Sequence, residues 1–408
     1  METISRGDRE ILRALAAHQY ELSQSERNLK CIGDWYRHNA FEPGLPIVHI
    51  ELNTFEQEII PGRLRCEGEA ARAVEAELYR QFLNIELFDD DWPVRDYFPV
   101  ILEKEFIPLG LPVRREESGG VGHHFVSQIE DLEADRGKLS KSPFSIKPEV
   151  TAAKKAFYEE IFGDILPVRE EADPFYACLT QDLVHIMAME DMFVAMMDYP
   201  EDFAEILNNL ADDYIALFKE QEQKGLLLPT TGHSFVGNGT RAFTRELPEL
   251  PLKTTDCWGF MDSQETVGIS PKMFEELIFP AYRKVLDTYG AISYGCCEPV
   301  HPIWDSCLSK LERLRKVSIS PWCDEEFMGE RLRGRRTVYH RKPSPNFVGV
   351  DEIFDEDAYR AHVTKTLMAA RGCTLEFSMR DIYTLHGDES RARRAVEIVR
   401  EAAIDCWK

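Results

Sequence analysis

Residues 258–297 read WGFMDSQETVGISPKMFEELIFPAYRKVLDTYGAISYGCC, and this stretch decides the fold. It opens on a short apolar run, Trp258 to Asp262, and closes on another, Ile292 to Cys297. Between them Ser270 is a candidate N-cap and Pro271 suits the first helical turn. Met273, Leu277, Ile278, Ala281, Val285 and Tyr289 then fall on one face at helical spacing. A strand, a helix and a second strand in this order predict a parallel pair joined by a crossover.

The same alternation extends outward. Further apolar runs lie at Ile165 to Val168, Leu226 to Thr231, Val317 to Trp322, Thr337 to His340 and Leu375 to Met379. Long helical patterns cover Leu183 to Glu222 and Asp357 to Ala370. With a first strand expected near Phe106 to Val113, the count reaches eight, which predicts an α/β fold of the (β/α)8 TIM-barrel type. An open doubly wound sheet usually carries a Gly-rich phosphate turn, and no G-x-G-x-x-G occurs. Residues 1–90 read as a helical N-terminal extension, interrupted by the apolar run Ile47 to Leu52, and 91–408 as the barrel.

With 72 acidic against 48 basic residues, the net charge is −24. Such a surface repels nucleic acid and anionic lipid, so neither is an expected partner. No apolar run reaches the ~18 residues of a membrane span. The ten cysteines are scattered, which does not fit a secreted disulfide framework. With a polar, charged N-terminus, this leads to the expectation of a cytoplasmic protein.

In a barrel of this type, chemistry gathers at the C-terminal ends of the strands. The ends read here supply Glu265 after the 258 strand and Cys296, Cys297 and Glu298 after the 292 strand. Thiolates and carboxylates from neighbouring strands suit Zn²⁺, so these four are the candidate metal ligands. Asp262, Asp324 and His340 are candidate acid–base groups. Lys342 and Arg380 could hold a substrate anion. His233 and Trp322 complete the candidate substrate-binding set.

The order of Trp258-Gly-Phe-Met-Asp-Ser-Gln-Glu-Thr-Val-Gly-Ile-Ser-Pro271, Tyr294-Gly-Cys-Cys-Glu-Pro299, Ser318-Ile-Ser-Pro-Trp322, Lys342-Pro-Ser-Pro345 and Glu376-Phe-Ser-Met-Arg-Asp381 resembles the uroporphyrinogen decarboxylase superfamily. The resemblance implies the barrel fold and points to its decarboxylase-like and corrinoid-linked methyltransferase branch. It implies zinc as cofactor, a small methylated substrate, a corrinoid carried by a partner protein and a homodimer. The Arg-rich N-terminal motif of the true decarboxylases is missing, which disfavours a porphyrinogen substrate. Tyr294 stands where the methyltransferases carry the His of a His-x-Cys pair, and Ser378-Met379-Arg380 stands where they carry a second Cys. Cys297, Glu298 and Glu265 are left to complete a ligand set. The alternatives are a metal-free decarboxylase or lyase and a non-catalytic binding barrel.

Overall fold

The computed structural model describes residues 4–117, 123–250 and 252–407. Its centre is a parallel sheet of seven strands. In chain order these are β1 (Ile47–Ile50), β2 (Phe175–Tyr176), β3 (Trp258–Met261), β4 (Ala291–Tyr294), β5 (Leu314–Ile319), β6 (Val338–Arg341) and β7 (Thr374–Met379). Across the sheet they run β1-β7-β6-β5-β4-β3-β2, every neighbouring pair parallel. Among the described residues no ladder joins β1 to β2, so seven strands are found where a closed set of eight was expected.

Five expected strands, 258 to 379 along the chain, lie in this sheet as β3 to β7. The others need correction. Ile47–Ile50 belongs to the sheet, paired with β7, so the first ninety residues supply a central strand as well as helices. Lys104–Phe106 pairs antiparallel with Phe144–Ile146 outside the sheet. Val168–Glu171 pairs with Phe98–Ile101 in a separate two-stranded ladder. Leu226 to Thr231 forms no strand. The long helix expected from Leu183 is three helices, Leu179–Val184, Met189–Asp198 and Pro200–Gln223, the last opened by Pro200 at its first turn.

The helix after β3 shows how local sequence shapes the frame. The Ser270 hydroxyl accepts the Met273 N–H at 3.1 Å, capping the start as expected. The helix then widens over Phe274–Ile278 before Phe279–Leu286 resumes α geometry. Pro280 has no N–H to give to the preceding turn, and a wide turn accommodates the missing bond.

Side chains alternate along the strands, as pleating requires. In β5 and β7, Val317, Ile319, Leu375 and Phe377 are buried in the main hydrophobic core. Lys316, Ser318, Glu376 and Ser378 are equally buried but polar, and lie on the other face. That polar face is covered by a hairpin, in which Val236 N–H donates to Thr240 O and Ala242 N–H to Ser234 O. Gly239, with φ +83, comes so close that an added Cβ would sit 2.8 Å from both His49 Cε1 and Ser378 Oγ. No helix among the described residues is long and apolar enough to cross a membrane.

Candidate active site

The mouth of the sheet is built from the ends of β3, β4, β6 and β7, with Ser318 of β5 among them. After β4, Gly295 takes φ +96, a conformation that favours glycine. A regular strand would aim adjacent side chains to opposite faces, but here the chain curls. Cys296 Sγ and Cys297 Sγ lie 3.6 Å apart. Three groups hold this turn from below. The Lys342 ammonium and the Ser318 hydroxyl each donate to Cys296 O at 2.8 Å, and the Asn238 amide donates to Gly295 O at 2.6 Å.

Glu298 is buried beneath the thiols. Its Oε1 accepts the Ser263 N–H at 3.0 Å and its Oε2 the Cys296 N–H at 2.8 Å. Glu298 thus ties the end of β3 to the end of β4. Arg380 follows β7 and points at Cys296 Sγ from 3.8 Å. Its Nε lies 3.3 Å from both Glu51 and Asp381 carboxylates, and it also bonds Asn238.

The thiols differ in setting. The contact with Cys296, together with the Lys342 and Arg380 charges, lowers the pKa of Cys297 against burial and Asp381. The same contact and burial push the Cys296 thiol up. Cys297 faces a cavity of about 980 Å³ whose walls include Phe125, Gln181, Val184, His185, Met189, Gln264, Glu265, Val267 and Trp322. Phe125 comes from a two-stranded antiparallel ladder and lies against the His185 ring, 4.2 Å between centroids. Trp322 is 72% exposed on the rim.

Two carboxyls flank the thiols. Glu265 Oε2 accepts the Thr180 hydroxyl at 2.9 Å, and burial raises its pKa. Asp262, deeper, is pushed up by burial first and by Glu298 and Cys296 next. Its Oδ1 is buried without a hydrogen-bond partner. Both are therefore biased toward the neutral acid.

The remaining candidates lie elsewhere. Asp324 is exposed and its Oδ1 caps the helix Glu325–Leu332 at the Phe327 N–H, 3.0 Å. His233 packs edge-on to Tyr97 and Phe243, and burial with the nearby Arg95 lowers its pKa to about 3. His340 is fully buried on β6, facing Glu376 within the sheet. Sequence reasoning missed Cys178, Thr180 and Glu51 around the mouth. Cys178 is fully buried, and burial first and the Asp262 charge next raise its pKa well above the thiol range.

Zinc needs three or four donors converging at one point. At the mouth the Cys296 and Cys297 sulfurs lie 3.6 Å apart and Asp381 Oδ2 lies 3.8 Å from Cys297 Sγ, but among the described residues no third donor lies within 4.8 Å of both sulfurs. Glu298 spends both oxygens on backbone N–H groups, and Glu265 faces Thr180. Among the described residues, the set with three donor atoms within 4.8 Å of one another is His49, His340 and Glu376. As arranged, the thiol site does not fit a zinc ion.

No family model and no curated protein sequence matches this chain. Among solved structures, a methyltransferase from Methanosarcina mazei aligns over 90% of this chain and 96% of its own, with TM-score 0.51 and 11% identity. The similarity establishes a shared fold.

Proposed function

We propose that this chain is a methyltransferase-like enzyme. It removes a methyl group from a small methylated substrate, such as a methyl ether, and passes it to a corrinoid carried by a separate protein. The observation that carries the reading is a carboxyl biased toward its acid form, Glu265, in the wall of the cavity that Cys297 also lines. The shared fold with a solved methyltransferase supports it.

Demethylating an ether leaves an alkoxide or phenoxide, a poor leaving group unless it is protonated. Glu265, in the cavity wall, supplies that proton to the leaving oxygen. Asp262, raised by burial and by the Glu298, Cys296 and Glu265 charges, is a second carboxyl biased toward the neutral acid near it. The corrinoid, when presented by its partner, supplies the nucleophile for the methyl group. Since the thiol pair gathers only two donors, no step is routed through zinc at the mouth.

The described cavity wall includes Glu190 and Glu265 and no lysine or arginine. Lys342 is bonded to Cys296 O, and Arg380 to Glu51 and Asp381. A carboxylated substrate finds no free counter-charge in that wall, which favours methyl transfer over decarboxylation.

The test is methylation of a reduced corrinoid protein by methoxyaromatic donors, followed by the absorbance of the methylated corrinoid. Glu265→Gln is expected to lose about 100-fold in rate, the usual worth of a positioned general acid. No methylation with any donor, together with CO2 release from carboxylated analogues, would overturn the reading.

A further inference from the structure

The polar face of the sheet holds a second cluster that the reaction above does not use. Glu376 on β7 is fully buried, as are His49 on β1 and His340 on β6. The register places His340 directly beside Glu376 across the β6–β7 ladder, and His49 beside Ser378 across β1–β7. Three side chains from three adjacent strands thus meet on one face.

The two oxygens of Glu376 have different neighbours. Oε2 accepts from the Lys316 ammonium at 2.8 Å and faces His38 Nε2 at 3.2 Å. Oε1 faces His49 Nε2 at 3.1 Å and His340 Nε2 at 3.8 Å. The second distance is too long for a hydrogen bond. His340 Nε2 is buried with no partner, and His49 Nδ1 has none either. A buried nitrogen without a partner is costly, so an arrangement that leaves one aimed at a carboxylate calls for a third party.

Donors about 2.0–2.1 Å from a tetrahedral zinc lie roughly 3.3 Å from each other. The 3.1 and 3.8 Å separations bracket that value. We propose that His49, His340 and Glu376 bind a divalent transition-metal ion of the zinc class within the sheet, between the two imidazoles and Glu376 Oε1.

Lys316 and His38 then act as the outer partners that fix the rotation of the carboxylate, the role such neighbours play around protein-bound metals. Lys316 is also the charge that opposes an ion here. Glu376 separates the two, giving one oxygen to each. Glu51 adds a further buried carboxylate, its Oε1 and His49 Cε1 both within 3.0 Å of where a Cβ on Gly239 would sit. With all three donors shielded from solvent, the ion enters while the chain folds. Its role is to bind three strands together at a level below the mouth.

The experiment is metal analysis of protein produced with added zinc, and again with Co²⁺ as a spectroscopic probe. About one ion per chain is expected, resistant to chelator until the protein is unfolded. The cobalt form should show visible d–d bands without a sulfur-to-cobalt charge-transfer band. Binding should survive the double substitution Cys296→Ser, Cys297→Ser and fall at least tenfold in His340→Gln. Should His340→Gln fail to fold, the wild-type cobalt spectrum decides by itself. Protein free of metal after zinc supplementation overturns the proposal, and so does a sulfur-to-cobalt band that disappears in the double cysteine variant. Neither result bears on methyl transfer, which is read separately from the corrinoid absorbance.

Discussion

Glu298 and Ser263 are joined at 3.0 Å, carboxylate oxygen to backbone N–H, across the ends of two neighbouring strands. The other oxygen takes the Cys296 N–H at 2.8 Å. One buried side chain thereby fixes the backbone that carries the thiol pair. Glu298→Ala would leave two buried N–H groups without acceptors. Hydrogen bonds to a charged group contribute about 1.5–3 kcal/mol each, so a loss of roughly 3 kcal/mol is expected in urea unfolding. Glu298→Gln should recover part of it, because one amide oxygen remains. A loss below about 1 kcal/mol in the alanine variant would mean that the strand ends hold themselves.

Arg95 and Glu171 form a buried bidentate pair, with Nη2 to Oε1 at 2.6 Å and Nε to Oε2 at 2.7 Å. Burial works against the charge of Glu171, but Arg95 and the Tyr97 hydroxyl outweigh it and hold the carboxyl at about 2, against an ordinary 4.5. A carboxyl with a depressed folded-state pKa contributes stability that is complete above the unfolded value. The contribution is lost as pH falls from about 4.5 toward 2. The shift corresponds to at most roughly 3 kcal/mol. Urea midpoints measured at about pH 6 and pH 3.5 should therefore differ more in the wild type than in Glu171→Gln. Equal pH slopes in the two proteins would refute the pair's role.

Gly239 is at φ +83, and a Cβ there would meet His49 Cε1, Ser378 Oγ and Glu51 Oε1 at 3.0 Å or less. Gly239→Ala thus combines left-handed strain of about 1–2 kcal/mol with a clash against packed side chains of β1 and β7. Destabilisation of at least about 2 kcal/mol is expected, read by thermal or urea unfolding. Gly225 has φ +66 with open space about its Cβ position, so Gly225→Ala should cost the strain alone.

Local pattern made β3 to β7 legible because each strand is an apolar run bounded by a helix with its own start signal, Ser270-Pro271 being the clearest. It failed for β1 and β2. Ile47–Ile50 is only four residues long and sits between helices, and Phe175–Tyr176 only two, so neither presents a periodicity of its own. Both gain their strand identity from partners distant in the chain. The strand-end rule brought Cys297 and Glu265 to one cavity. It could not tell that Glu298 would be consumed by backbone N–H groups. Nor could it see that His340 faces inward, to a glutamate met by His49 from 327 positions away. Spacing gives the face a residue lies on, whereas the partner on that face is set by the register of the sheet.

Cys297 carries the last prediction. Its thiol is acidified by the Cys296 thiol and by the Lys342 and Arg380 charges, and its sulfur lines the open cavity. Alkylation follows the thiolate fraction, so iodoacetamide should modify Cys297 at neutral pH ahead of Cys296 and Cys178, whose thiols are raised in pKa and buried. Lys342→Met removes one of the acidifying charges. The midpoint of the alkylation profile should then move to higher pH, and the rate at neutral pH should fall about three- to tenfold. Peptide mapping identifies the modified residue, and circular dichroism checks that the variant is folded. An unchanged rate in a folded Lys342→Met protein would show that the thiol pair alone sets the acidity. Modification at Cys296 first would show that Cys296 is the more acidic of the two.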